Sequence, residues 1–259
     1  MALALNLTKA EQSLKLCLQK SGVPTPPPVE LAFVLDVSGS FDDEHRSGLT
    51  NALLTRLVPW GTTFDPDKKL DVYTFSSGAR SAHQVGHITP ANYTDYIRQN
   101  IIGKVPGYGT GTDYSPVLEL VLRNQGWSTA RGGLLQRLLG TTPAAPPRRR
   151  SLVIFVTDGD NSDTQATHRT LAQSQQRGDQ VYFLFIGVSN QGHRFPFLQQ
   201  IAAQYSNTGL TVIRQLHQFT AQDDDQLNTT LLQPELIDWL KRDLPTAPTP
   251  AHATPHARR

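Results

Sequence analysis

Asp36, Ser38 and Ser40 stand on alternate residues directly after an apolar run, Leu31-Ala32-Phe33-Val34-Leu35. The run reads as a buried strand. Its end therefore delivers one carboxylate and two hydroxyls into one small space. Hard oxygen donors of low total charge suit a hard divalent cation. Two further segments offer oxygens of the same kind. Thr112 lies in the glycine-rich stretch 107–116, and Asp158 lies in Val156-Thr157-Asp158-Gly159-Asp160. The candidate metal ligands are therefore Asp36, Ser38, Ser40, Thr112 and Asp158. Mg²⁺ fits first, because it takes octahedral oxygens at about 2.0–2.1 Å and keeps several waters. Mn²⁺ or Ca²⁺ would accept the same donors. So few protein charges leave coordination positions that an acidic side chain of a partner protein can fill. Asp-x-Ser-x-Ser alone also serves as ordinary turn and cap chemistry at a strand–helix junction. The two further loops, at matching strand ends, favour the metal.

These residues must be positioned by elements that the hydrophobic pattern outlines. Short apolar strands are expected at 31–37, 70–75, 152–157 and 181–188, with weaker ones near 82–88 and 210–214. Helices are expected at 43–59 with Asp42 or Asp43 as N-cap, at 89–102 behind Thr89-Pro90, and at 114–125, 164–177 and 195–205. A last helix falls within 220–243, and 128–147 reads as a short helix before a Pro-rich loop. Alternating strands and helices over 30–243 predict a doubly wound α/β domain with a mostly parallel, Rossmann-like sheet and helices on both faces. In such sheets ligands sit at the carboxyl ends of strands, where Asp36 and Asp158 fall. Leu3-Leu5-Leu7 and Leu14-Leu16-Leu18 alternate with period two, which predicts a short N-terminal β extension, with a helix as the alternative for the second stretch. The prolines between Val23 and Pro28 predict an extended linker. The expected division is 1–28 extension and linker, 29–244 domain, and 245–259 a disordered tail with too little apolar surface to order itself.

With Asp36, Ser38, Ser40, Thr112 and Asp158 in this order, the chain resembles the von Willebrand factor A (vWA) fold with its metal-ion-dependent adhesion site (MIDAS), over roughly 30–243. GTDYSPVLE at 111–119, FVTDGDN at 155–161 and FLFIGVSNQG at 183–192 are similar to the TerF-type domains of bacterial and phage tellurium-resistance and stress clusters. LNLTK at 5–9 resembles the start of TerD-type proteins. The resemblance implies a non-enzymatic, metal-dependent protein–protein interaction module in such a system. The alternatives are a structural component of a phage or other large assembly and, less favoured, a metal-dependent hydrolase or phosphoryl-transfer enzyme. The enzyme would need a general base and basic phosphate ligands near the three loops, and the sequence names neither.

Other chemistries find less support. The loop from Asp158 carries Asp163 and Arg169 where a calcium EF-hand needs Gly and Glu. Gly107 to Gly111 lacks the Lys of a phosphate loop. His83 and His87 read as strand-edge residues, and Asp113 reads as a helix cap or an acceptor behind the ligands. Cys17, the only cysteine, excludes an intrachain disulfide and reads as a small core residue. The three tryptophans are expected near helix ends, partly buried. Arg148, Arg149, Arg150, Arg258 and Arg259 exceed the formal charge of +2, so the rest of the chain is slightly acidic and no specific nucleic-acid site is expected. Arg148 to Arg150 reads as a solvated loop. Without a signal peptide pattern or a membrane-length apolar stretch, the expected location is the cytoplasm.

Overall fold

The structure, a computed structural model, describes residues 2–128, 148–189 and 192–242, and of residues 2–6 the backbone only. The expected features of 129–147 and of the tail 245–259 lie outside the described residues. Strands β1 (Glu30–Asp36), β2 (Leu70–Phe75), β3 (His83–Ile88), β4 (Ser151–Thr157), β5 (Val181–Val188) and β6 (Thr208–Ile213) form one sheet in the order β3-β2-β1-β4-β5-β6. All neighbours pair in parallel except β2 with β3, which is antiparallel. This is the doubly wound α/β arrangement. The chain winds outward from β1 in one direction and from β4 in the other, which leaves a crevice at their carboxyl ends.

The alternation of side chains along β1 decides what packs on each face. Leu31, Phe33 and Leu35 join one core cluster, and Ala32 and Val34 join the other. The first cluster takes in α1 (Ala2–Lys20), α3 (Leu49–Phe64), α8 (Leu216–Ala221), α9 (Asp224–Leu231) and α10 (Pro234–Lys241). The second takes in α5 (Ser115–Asn124), α6 (Thr164–Arg177) and α7 (Pro196–Gln204). Both faces are covered, so β1, β4 and β5 are buried along their whole length. Each large apolar side chain hidden this way contributes about 1.5–3 kcal/mol.

Several local expectations need correction. The N-terminal β extension is a helix, α1. Leu14, Cys17 and Leu18, at helical spacing, are buried, while Leu16, which made the leucines look alternating, is 53% exposed. The expected helix 43–59 is interrupted. A 3₁₀ turn at Gly39–Phe41 leads into the short α2 (Asp42–Arg46), and Gly48 at φ 82° breaks the chain before α3. Neither Asp42 nor Asp43 caps: both lie inside α2, where Asp42 accepts from Arg46 and Tyr108. Pro59 does not end α3, which runs on to bury Trp60 and Phe64. Of 89–102 only α4 (Tyr96–Asn100) is α-helical, because Asn92 Oδ1 accepts from Thr89 N–H and closes a turn instead. The expected last helix is three pieces, split where Asp223 caps the Gln226 N–H and where Pro234 starts α10.

The three arginines are not simply solvated. Arg149 pairs with Glu30 at 3.1 Å, and Arg148 lies over Trp127. Arg150 stacks on Trp239 and donates to its carbonyl. The tryptophans are more buried than expected, and Trp60 sits within α3 with its N–H on Asn228. Cys17 is buried, and His83 and His87 are exposed on the edge strand β3, as expected.

Candidate metal centre at the carboxyl end of the sheet

Three loops meet at the crevice. The first leaves β1 at Val37, whose N–H bonds Phe75 O at 2.9 Å. The second, the glycine-rich loop before α5, is stitched to the first by Gly39 N–H to Thr110 O at 3.0 Å and Gly109 N–H to Val37 O at 2.8 Å. A Cβ on residue 39 would lie 3.1 Å from Gly109 O, which explains the glycine between the two serines. Gly107 is equally constrained, with φ 74° and a built Cβ 2.4 Å from Ser76 Oγ. The third loop follows β4 and joins the second through Ser162 N–H to Thr112 O at 2.8 Å.

Four of the five expected ligands are in side-chain or side-chain-to-backbone contact. Asp36 is fully buried, and its Oδ1 accepts the Ser38 N–H at 2.8 Å. Ser38 Oγ lies 3.2 Å from Ser40 Oγ, and Ser40 donates to Asp158 Oδ1 at 3.0 Å. Thr112, 9% exposed, is tied to the third loop through its backbone carbonyl, which accepts from Ser162 N–H, and not through a side-chain contact with the other four. The contact between Ser40 and Asp158 lies at the exposed side, so the cluster opens to solvent there.

The chemistry of this donor set fits a small divalent cation. Every donor is a hard oxygen. Neighbouring oxygens of an octahedron with bonds of about 2.0–2.1 Å are about 2.8–3.0 Å apart. The oxygen separations of 3.0 and 3.2 Å along Ser38, Ser40 and Asp158 lie close to that edge. Among the described residues the two carboxylates also lack a paired counter-charge. Burial, with the Asp158 charge adding to it, pushes the Asp36 carboxyl up to about 7, against hydrogen bonds from Thr157 and Ser38 that favour the ionised form. Burial likewise raises Asp158, with a further contribution from Glu44. Carboxylates so destabilised in their charged form gain from a cation beside them.

Thr157, His45 and Asp163 support the cluster; of these the sequence pointed only to Asp163, as a loop or cap residue. Thr157 ends β4 on the same face as Asp36 and donates to its Oδ2 at 2.6 Å. Period two together with the β1–β4 pairing would have found it, but strand order is not written in the sequence. His45, 2% exposed, sits 3.0 Å from both Asp36 O and Thr50 Oγ1. Burial lowers its pKa to about 4 and outweighs the Asp36 bond. The ring is therefore neutral at pH 7, and Asp36 O, which can only accept, assigns the proton to Nε2. His45→Ala should thus strand a buried carbonyl and lower stability by about 1–3 kcal/mol, with His45→Gln retaining part of it, as read from urea midpoints.

Asp163 accepts from Tyr114 N–H and Ser115 N–H, both at 2.9 Å, and so caps α5 from outside. Burial raises its carboxyl, but these bonds and that of Thr167 win and hold it below the usual carboxylate range. Asp113, expected as a cap or as an acceptor behind the ligands, instead accepts from Gly78 N–H and Ser77 Oγ and ties the second loop to the end of β2.

Over 236 residues the chain is 22% identical to "Uncharacterized protein YcbR" of Bacillus subtilis (strain 168), which covers 89% of this chain and 85% of that one. Among solved structures it is similar to proximal thread matrix protein 1 of the mussel byssus, at 18% identity and a TM-score of 0.48 over 83% of this chain. The chain spans about half of that protein, 48% of its length. It is also similar to the manganese-loaded TRAP protein of Plasmodium vivax, at 14% identity and a TM-score of 0.43 over 81% of this chain and 73% of that one. Residues 28–246 match the family described as vWA-TerF-like, the vWA domain found in the C terminus of TerF, and the chain belongs to that family.

Proposed function

We propose that this chain captures a protein partner through a divalent cation held at the carboxyl end of the sheet. The vWA domain is typically an adhesion or protein-interaction module and usually non-catalytic. The observation that carries the finer reading is the run of oxygens from Ser38 through Ser40 to Asp158, spaced near an octahedral edge and open to solvent. Asp36, Ser38, Ser40, Thr112 and Asp158 would hold the ion. Each Asp36 oxygen accepts a hydrogen bond, which fixes the carboxylate and leaves it lone pairs for the ion. Bound there, Mg²⁺, or Mn²⁺ or Ca²⁺ in its place, supplies a positive point with positions left to water or to a partner carboxylate.

The residues themselves do the rest. Thr157 and Ser38 orient the buried carboxylate, His45 holds the backbone of Asp36, and the two glycine contacts keep the first and second loops closed on one another. The proposed role extends to a tellurium-resistance-like or stress system of a bacterium or phage, acting in the cytoplasm, and its support is the match to the vWA-TerF-like family. No described helix is long and apolar enough to cross a membrane.

Co-purification from a bacterial lysate, with magnesium and with chelator, tests the reading. A defined set of proteins should be retained with magnesium and absent with chelator. Retention of the same proteins in both conditions would make the site a structural one.

A further inference from the structure

The opposite pole of β1 carries a second oxygen cluster that the function proposed above does not use. Glu30 opens β1, and Asp65 and Asp67 lie in the turn after α3. One carboxylate oxygen from each of the three lies within 4.8 Å of the other two. Glu30 Oε1 accepts from Arg149, but its Oε2 is shut off from solvent and, among the described residues, has no hydrogen-bond partner. The Glu30 side chain is only 10% exposed. A buried carboxylate oxygen without a donor is costly, and such a group calls for a partner. Asp65 is 4% exposed and accepts from Leu31 N–H and Asp67 N–H, so it is fixed in place with lone pairs to spare.

The surrounding charge also calls for a cation. Arg149 on Glu30, and Lys69, 3.9 Å from Asp67 and 3.4 Å from Asp71, are the basic groups paired here. They face the carboxylates of Glu30, Asp65, Asp67 and Asp71, so the cluster keeps an excess of negative charge. Burial and the Glu30 charge push Asp65 up to about 6, which expresses the same strain.

We propose that Glu30, Asp65 and Asp67 form a second cation site, of calcium type, that ties the start of β1 to the end of α3. Calcium takes oxygen ligands at about 2.3–2.6 Å in a flexible sphere, and three oxygens within 4.8 Å of one another can reach one such ion. The mixture of a sealed oxygen, a buried fixed carboxylate and an exposed one also suits the irregular, water-completed sphere of calcium. Glu30 and Asp36 are the two ends of β1, about 20 Å apart, so this site is independent of the first.

The test uses the full chain carrying Asp158→Ala, which disables the first site, and titrates it with CaCl₂ by calorimetry and thermal unfolding. One calcium per chain should bind, and the melting temperature should rise by about 3–5 °C at about ten times the dissociation constant. Glu30→Gln should abolish the binding. Asp67→Ala, at an exposed position that leaves the fold intact, should weaken it about tenfold or more. No heat and no shift up to millimolar calcium would overturn the proposal. Binding unchanged by both Glu30→Gln and Asp67→Ala would overturn it as well. Neither result bears on the first site.

Discussion

Asp158→Ala should lower Mg²⁺ affinity at the carboxyl end of the sheet by at least about 100-fold while leaving the chain folded. Loss of a group that merely orients a metal ligand costs about 10–100-fold, so the loss of a charged ligand should cost no less. Asp158 is well suited to the experiment because it is part-exposed and its side chain accepts from Ser40 at the open edge of the cluster. Asp36→Ala should also abolish binding, but it additionally strands the Thr157 hydroxyl and the Ser38 N–H in the interior and so confounds affinity with stability. Thr112→Ala removes a neutral oxygen without altering charge and should weaken binding about tenfold, a smaller loss than for the carboxylate. Calorimetry in a Glu30→Gln background keeps the opposite pole out of the titration. Unchanged affinity in Asp158→Ala would refute the assignment of the ligands. The order of loss should recur in partner capture, because capture runs through the same ion.

The largest effect on stability should come from Asp163→Ala. Asp163 Oδ1 accepts from Tyr114 N–H, Asn161 Nδ2 and Thr167 Oγ1 at 2.9–3.0 Å, and Oδ2 accepts from Ser115 N–H at 2.9 Å. Removing it leaves two backbone donors at the start of α5 and two side-chain donors without their acceptor. A bond to a charged acceptor contributes about 1.5–3 kcal/mol, and some of these donors can turn to water, so a net loss of about 2–4 kcal/mol is expected. For a chain of this size that lowers the melting temperature by about 6–12 °C. Asp163→Asn keeps the shape and should cost less. Because the residue joins the third loop to the second, metal affinity should fall along with stability. A melting temperature within a degree of wild type would show that the two loops are held by their backbone bonds alone.

The sheet was legible in the sequence because its strands are continuous apolar runs. β4, β5 and the helix 164–177 lie where the pattern puts them, since a segment buried on both faces, or capped by Gly178 at φ 68°, carries its limits in its own residues. The N-terminal segment misled for the opposite reason. Its leucines alternate locally, but Leu14, Cys17 and Leu18 are buried because α3 and α9 lie against α1, and that contact spans the length of the chain. The breaks at Gly48 and at Asn92 were likewise decided by competing local hydrogen bonds and backbone conformation, not by periodicity.

The same division holds at the two sites. Asp36, Ser38, Ser40, Thr112 and Asp158 could be named from type and spacing, because each stands at a recognisable strand end or loop. The sequence by itself also determined that the donors are hard oxygens of low net charge. Of the groups that hold them, Asp163 was legible as a loop or cap residue, but Thr157 and His45 could not be named, since Thr157 acts on a partner 121 residues away and His45 on a backbone carbonyl. Only the parallel pairing of β1 with β4 sets Thr157 beside Asp36. Glu30, Asp65 and Asp67 show this most plainly. No spacing joins them, and they form a cluster only because the end of α3 returns to the start of β1, where Asp65 takes the Leu31 N–H. Residue type is local information, whereas the meeting of charges is a property of the folded chain.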